Sequence, residues 1–465
     1  RPCRSSFTAC HRHLVDHHSR YDLCVIPQRR PTPGVGATRF RSHRSVFGAA
    51  VCAVALVLVG ACSGTTSSDV TTLGDAEPPT TSGDATTTSA AGATPDVDLD
   101  PLKNCIDTLS VEEQAGQVLW VMTSTPGNLA EAAKAGKIGG VGALEDQGGD
   151  IAEQIKSIND GPRVPMVIAS DEEGGTVQRL DQVIEPLPSA RDTTQKLSTA
   201  QTKTMWTKYA KDMVELGFNA NFAPVLDVGF GPALKSRSYA LDPTVVADFA
   251  IAAAQGMTDG GIKPIAKHFP GIGYATADPH GQLVQVSDLK ELKQREFLPF
   301  RAAIDAGIPA IMTTHAVIPD VTKGEPVTMS PEGVALLRED LGFKGLIVTD
   351  SLIMGAIADS RTQSEAAVQA LVAGNDVALI SGAQNVDEVY LALVAAVTDG
   401  TITEKRLAQS VKRVLDFKGV KGSCPAGGAD PKADPADPAP TTAPVTDAPV
   451  LERDPVGGGQ PTDQG

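Results

Sequence analysis

The feature that most constrains this chain is an alternation. Between residues 98 and 424, short apolar runs rich in β-branched residues recur with amphipathic stretches between them. The runs are 118–122, 140–144, 166–170, 221–225, 263–267, 310–315, 345–350 and 376–381. The stretches between them include 199–216, 244–259, 288–306 and 364–373, and 403–417 closes the set. Runs this apolar predict strands buried on both faces, and intervening helices predict parallel pairing. Eight such units predict a single (β/α)8 TIM-type barrel. A doubly wound sheet would need a phosphate-binding fingerprint. Gly271-Ile272-Gly273 follows a strand and mimics its start, but Asp278-Pro279 interrupts where the helix should begin.

The flanks have a different chemistry. Residues 1–61 carry nine Lys/Arg against two acids, a net charge of +7, so that the whole-chain charge of −16 leaves −23 for the rest. An acidic chain of this kind lacks the basic face that a nucleic-acid partner requires. Five of the eight histidines lie in the first 43 residues, and residues 1–34, which show no hydrophobic periodicity, read as a dispensable leader rather than a metal site. Arg39, Arg41 and Arg44 precede an apolar run over 46–59, and Gly60-Ala61-Cys62 follows it. The run is too short to span a bilayer but suits a secretory signal with a lipobox, in which Cys62 would receive the lipid. Residues 62–97 then read as a flexible Ser/Thr-rich tether and 425–465, with nine prolines, as a disordered tail. The expected location is the outer face of the cell membrane. In that compartment Cys105 and Cys424, at the two ends of the 98–424 domain, are expected to form a disulfide.

Barrel chemistry sits where the strands end. The ends here carry Asp171-Glu172-Glu173-Gly174-Gly175, Asp227, Lys267-His268-Phe269-Pro270-Gly271, His315 and Thr349-Asp350-Ser351. The three histidines outside the leader, His268, His280 and His315, all fall at strand ends or on the loop after one. Two chemistries fit this rim. Metal-assisted hydrolysis could use the histidines with Asp278 and Asp350, but no metal-ligand spacing is present and Lys267 beside His268 would repel a cation. Glycoside hydrolysis needs one group to attack or stabilise the anomeric carbon and another to protonate the leaving oxygen.

Lys267-His268-Phe269-Pro270-Gly271 followed by Asp278-Pro279-His280 resembles the KHFPG…DxH signature of glycoside hydrolase family 3 β-N-acetylhexosaminidases of the NagZ type. Asp171–Arg179, Pro224–Asp227 with Arg237-Ser238-Tyr239, and Val348-Thr349-Asp350 extend the likeness over most of residues 105–418. The resemblance implies Asp350 as nucleophile of a retaining mechanism and His280, oriented by Asp278, as general acid/base. It further implies Asp171, Arg179, Arg237, Lys267 and His268 as residues that hold the non-reducing sugar. No cofactor and no metal are implied. The substrate would be a GlcNAc-containing oligosaccharide or muropeptide derived from the cell wall. Glu172 or Glu173 as a carboxylic acid/base, a GlcNAc phosphorylase and a non-catalytic sugar-binding lipoprotein stand as alternatives. The chain departs from the family where PGHGDT is usual: it reads Pro270-Gly271-Ile272-Gly273-Tyr274-Ala275, and Pro279 replaces the usual Ser of the dyad.

Overall fold

Eight parallel strands form one sheet in the computed structural model, which describes residues 102–278 and 281–424. They are β1 (Leu119–Thr123), β2 (Gly140–Ala143), β3 (Val167–Ser170), β4 (Ala220–Asn221), β5 (Lys263–Phe269), β6 (Ala310–Thr313), β7 (Leu346–Thr349) and β8 (Ala378–Ser381). The hydrogen-bonded order runs β8-β1-β2-β3-β4-β5-β6-β7. The remaining seam, β7 to β8, is thinner. It has a single bridge, Val348 to Val377, supported by Thr349 N–H on Val377 O at 3.1 Å. The result is a nearly closed (β/α)8 barrel. The leader, the tether with Cys62, the tail and His280 lie outside the described residues.

The alternation of side chains explains why these runs close on themselves. Trp120, Met122, Val167, Ala169, Phe222, Ile265, Met312, Val348 and Leu379 form one buried cluster drawn from seven strands, the interior of the barrel. The remaining strand, β2, contributes glycines. A Cβ on Gly140 would lie 2.7 Å from the Trp120 ring, so the smallest residue makes room for the largest. The alternate positions, such as Leu119, Val121, Val141 and Ile380, face outward into the helical layer.

That layer includes α1 (Ile151–Asn159), α2 (Thr199–Glu215), α3 (Pro243–Asp259), α4 (Phe297–Asp305), α5 (Gln363–Ala373), α6 (Val386–Thr398) and α7 (Glu404–Lys418). Capping boxes open α2 (Ser198 with Gln201) and α5 (Thr362 with Glu365), satisfying the first free N–H groups. Val414 and Phe417 of α7 enter the interior cluster, with the Phe417 ring 6.0 Å from that of Trp120, and plug the end at which the strands begin. Among the described residues no helix is long and apolar enough to cross a membrane.

Two elements differ from the periodicity. The helical stretch 288–306 is broken into Leu289–Gln294 and α4, with Arg295 off the helical angles at φ −130°, ψ −69°. Pro299 explains the break, because its ring would collide with the carbonyl of Arg295 in a continuous helix and it has no N–H to donate. Of the run 221–225 only Asn221 lies in the regular strand, which begins one residue earlier at Ala220. Pro224 cannot donate to the ladder, and pairing continues irregularly through Lys267 N–H on Pro224 O and Leu226 N–H on Lys267 O. A disulfide joins Cys105 to Cys424 across 319 residues, with their Cα atoms 4.5 Å apart.

Candidate active site

The C-terminal ends of β3, β4 and β5 bring a charged network together. Asp171, Glu172 and Glu173 follow β3 directly. Arg237 meets Glu173 in a two-pronged pair, Nε to Oε2 and Nη2 to Oε1, both at 2.7 Å. Lys267, the fifth residue of β5, sets its Nζ 2.6 Å from Glu173 Oε1 and also bonds Asp171. Burial alone would raise the Glu173 pKa, but the charges of Lys267 and Arg237 outweigh it and hold the carboxyl well below the usual carboxylate range. The reverse holds for Lys267, whose burial is overcome by Asp171 and Glu173 so that its ammonium stays charged. Arg179 approaches the second oxygen of Asp171 at 3.5 Å.

His268 is fixed by Asp227, which follows β4. Its Nδ1 lies 2.6 Å from Asp227 Oδ2, and Asp227 Oδ1 accepts the Ile272 N–H at 2.8 Å. A carboxylate only accepts, so Nδ1 carries the hydrogen, and Arg237 Nη2 lies 3.3 Å from Nε2. The network therefore presents donors from Lys267 and Arg237 and an oriented imidazole at one rim, the equipment to hold hydroxyl and amide groups of a sugar.

Neither glutamate is available as an acid. Glu173 is held ionised between two cations. Glu172 is fully buried, with Ser170 Oγ (2.5 Å) and Arg179 N–H (2.9 Å) on one oxygen and the Tyr209 hydroxyl (2.7 Å) on the other. Burial pushes its pKa up, but every one of these bonds points into the protein.

Asp350 stands just past β7, half-buried. Its Oδ2 accepts from Thr314 Oγ1 at 3.0 Å and its Oδ1 from the Ser351 N–H at 2.8 Å. The neighbouring end of β6 supplies His315, whose Nε2 lies 2.9 Å from Ser351 O and Nδ1 2.8 Å from Thr328 Oγ1. The stem of the loop that bears Asp278 is tied to its surroundings. Gly231 N–H donates to Gly273 O at 2.9 Å, and Arg295 stacks on the Tyr274 ring at 3.7 Å while bonding Glu296 at 2.8 Å. Gly273 admits no side chain, since a Cβ there would sit 1.5 Å from Val228 O. Asp278 lies further along this loop. His280 falls outside the described residues.

The structure thus brings Asp171, Arg179, Arg237, Lys267 and His268 together on one rim. Two residues that the sequence placed at strand ends without a positioning role join them: Glu173, weighed as an acid, and Asp227, which also falls within a motif. The signal for both was present, since two buried cations and a strand-end histidine require counter-groups on neighbouring strands.

Residues 110–417 match the Glycosyl hydrolase family 3 N terminal domain. The chain is 31% identical to Beta-hexosaminidase LpqI of Mycobacterium tuberculosis over 396 residues, 81% of this chain and 98% of that protein. It is 35% identical to a Beta-hexosaminidase of Stenotrophomonas maltophilia over 263 residues, 54% of this chain and 76% of that protein. Among solved structures, M. tuberculosis LpqI superposes with a TM-score of 0.65 at 32% identity, covering 67% of this chain and 95% of that one. A glycoside hydrolase family 3 β-N-acetylglucosaminidase from Paenibacillus sp. superposes with a TM-score of 0.63 at 30% identity, covering 67% and 62%.

Proposed function

Because this chain belongs to glycosyl hydrolase family 3 and is a glycosidase, we propose that it removes non-reducing terminal GlcNAc from cell-wall-derived saccharides by a retaining mechanism. Asp350 attacks the anomeric carbon and forms a covalent glycosyl-enzyme. His280, paired with Asp278, protonates the departing oxygen and then takes a proton from the water that releases the sugar. Asp171, Arg179, Arg237, Lys267 and His268 hold the sugar while this happens. The observation that carries the reading is the placement of Asp350. Its carboxylate stands past a strand end, oriented by a hydroxyl and a backbone N–H, on the rim that carries the charged network.

A slow fluorinated GlcNAc glycoside tests it directly. The expected result is a sugar adduct on Asp350, read by peptide mass spectrometry; an adduct on any other residue overturns the assignment. Product analysis in phosphate buffer separates hydrolysis from phosphorolysis, with free GlcNAc expected and a sugar 1-phosphate contradicting it.

The setting is part of the same reading. The basic stretch, apolar run and small residues before Cys62 support a lipid anchor, which would hold the enzyme at the outer face of the membrane and favour peptidoglycan fragments as substrates. Cys62→Ser is expected to move the protein out of the membrane fraction, and unchanged retention there argues against the anchor.

A further inference from the structure

Asp350 is gripped by two consecutive residues of one neighbouring strand end. Thr314 and His315 follow β6 immediately, and both are wholly buried. The Thr314 main chain is pinned to the strand on its other side, its N–H donating to Phe269 O at 2.9 Å. Its hydroxyl donates to Asp350 Oδ2 at 3.0 Å. His315 takes the next peptide. Ser351 O can only accept, so the imidazole Nε2 carries the hydrogen that it donates at 2.9 Å, and Thr328 Oγ1 bonds the other ring nitrogen at 2.8 Å. Thr328 is itself held, because Asn375 Nδ2 donates to its carbonyl at 2.9 Å while Asn375 Oδ1 accepts from Thr313 Oγ1 at 2.7 Å. The same Asp350–Ser351 step is tied back by Asp350 N–H on Thr313 O at 2.7 Å. Residues 313–315 therefore hold the Asp350 carboxylate, the Asp350 N–H and the Ser351 carbonyl.

We propose that Thr314 and His315 are positioning residues for the attacking carboxylate: Thr314 aims its Oδ2, and His315 holds the Ser351 peptide so that the side chain cannot swing out of line. This rests on the reading of Asp350 as nucleophile. Retaining displacement needs one carboxylate oxygen in line with the departing bond, and misplacement of about 1 Å costs on the order of 100-fold in rate. A hydroxyl on one oxygen and a backbone N–H on the other leave the carboxylate plane little freedom. Both act through Asp350.

The test uses the whole enzyme and two readouts: steady-state kinetics on a chromogenic aryl β-GlcNAc glycoside and the rate constant for inactivation by the slow fluorinated GlcNAc glycoside. Thr314→Val keeps the shape and removes the hydroxyl. It is expected to lower kcat and the inactivation rate constant together by about 10- to 100-fold, with KM within threefold of the parent. Thr314→Ser restores the hydroxyl and is expected to recover both to within threefold. His315→Gln keeps an N–H donor and is expected to retain more activity than His315→Ala. Thermal unfolding of each variant identifies any that fails to fold, and the Thr314→Ser comparison then still decides. Thr314→Val within twofold of the parent, or a loss confined to KM, overturns the proposal. Asp350→Asn run alongside separates the two levels: normal turnover in that variant overturns the nucleophile itself, whereas a dead Asp350→Asn beside a normal Thr314→Val overturns only the positioning role.

Discussion

The two ends of the barrel each bury a charged network, and the two are built differently. At the rim, Lys267 and Arg237 face Asp171 and Glu173, so cations and carboxylates balance. At the foot, where the strands begin, one carboxylate faces three guanidiniums. Asp376 accepts from Arg338 at 2.6 Å and Arg413 at 2.7 Å, with Arg406 at 3.7 Å. The excess positive charge is visible in Arg338: burial, with the neighbouring arginines, lowers its pKa to about 10 despite Asp376. What offsets the excess is backbone. Phe343 O and Gly345 O accept from Arg338 and Asn375 O from Arg406 at 2.5–2.9 Å, while the Nε–H groups of Arg338, Arg406 and Arg413 are buried without a partner among the described residues. Asp376 Oδ2 also takes the Ile347 N–H at 3.0 Å, across the thin β7–β8 seam. The foot network thus fastens α7 and closes the barrel, whereas the rim network leaves side-chain donors aimed at a shared surface. One is built to hold the chain and the other to hold a ligand.

That contrast separates rate from stability, and substitutions can break it. Asp350→Asn is expected to give the largest effect, a fall in kcat of about 10,000-fold, or about 5.5 kcal/mol of barrel-top chemistry. Its unfolding midpoint should stay near that of the parent. Asp376→Asn should do the opposite. Removing the carboxylate that the described residues place among three guanidiniums is expected to cost about 3–5 kcal/mol, read by urea denaturation, while kcat per folded molecule stays within twofold. A large loss of turnover in the folded fraction of Asp376→Asn would dissolve the distinction.

Glu173 tests whether the rim is purely functional. Its folded pKa lies below that of an ordinary glutamate, so the folded state binds fewer protons than the unfolded chain as pH drops through the carboxylate range. The stability it supplies is therefore present above about pH 4.3 and is lost as pH falls toward the folded value. Glu173→Gln is expected to cost about 1.5–3 kcal/mol at pH 7, less than Asp376→Asn because Lys267 keeps Asp171 and the amide oxygen can still accept from Arg237. The gap from the parent should shrink below pH 4. A gap independent of pH would mean that packing, not charge, is what Glu173 contributes.

The barrel was legible because burial imposes a period: runs such as 310–315 and 345–350 are apolar on both faces and recur at helix-length spacing. Strand 4 was less so, since Pro224 breaks the ladder without changing the apolar pattern. Strand ends also marked the rim, and motif likeness sorted its residues. The pairings were not legible. Glu173 and Arg237 are 64 positions apart, and no local rule says that Arg237 grips Glu173 rather than Asp171. His315 stood at a strand end in the sequence, but its partner Thr328 lies 13 residues on in a connection with no period. Pair identity is a property of closure, and closure is decided by all eight strands together.

Two lysines give the finest version of the contrast. Lys267 is buried and Lys418 half-buried, and their ammonium groups shift in opposite directions. Lys267 at the rim is raised because Asp171 and Glu173 overcome burial. Lys418, at the end of α7, has Gln117 Oε1 at 2.6 Å as its partner, and burial pulls it down to about 7. A lysine whose folded pKa is depressed binds fewer protons folded than unfolded between that value and about 10.4, so its penalty is full below pH 7 and fades as pH rises through that window. Lys418→Met is therefore expected to raise the melting temperature at pH 6, by about 2 °C or roughly 1 kcal/mol or less. The gain should shrink toward pH 9 and reverse near pH 10, where the neutral amine no longer carries the penalty and only its bond to Gln117 is lost. Lys267→Met should show no such gain at any pH, because it strips Asp171 and Glu173 of their shared cation. If the two variants respond to pH alike, partner charge is not what distinguishes the rim from the foot.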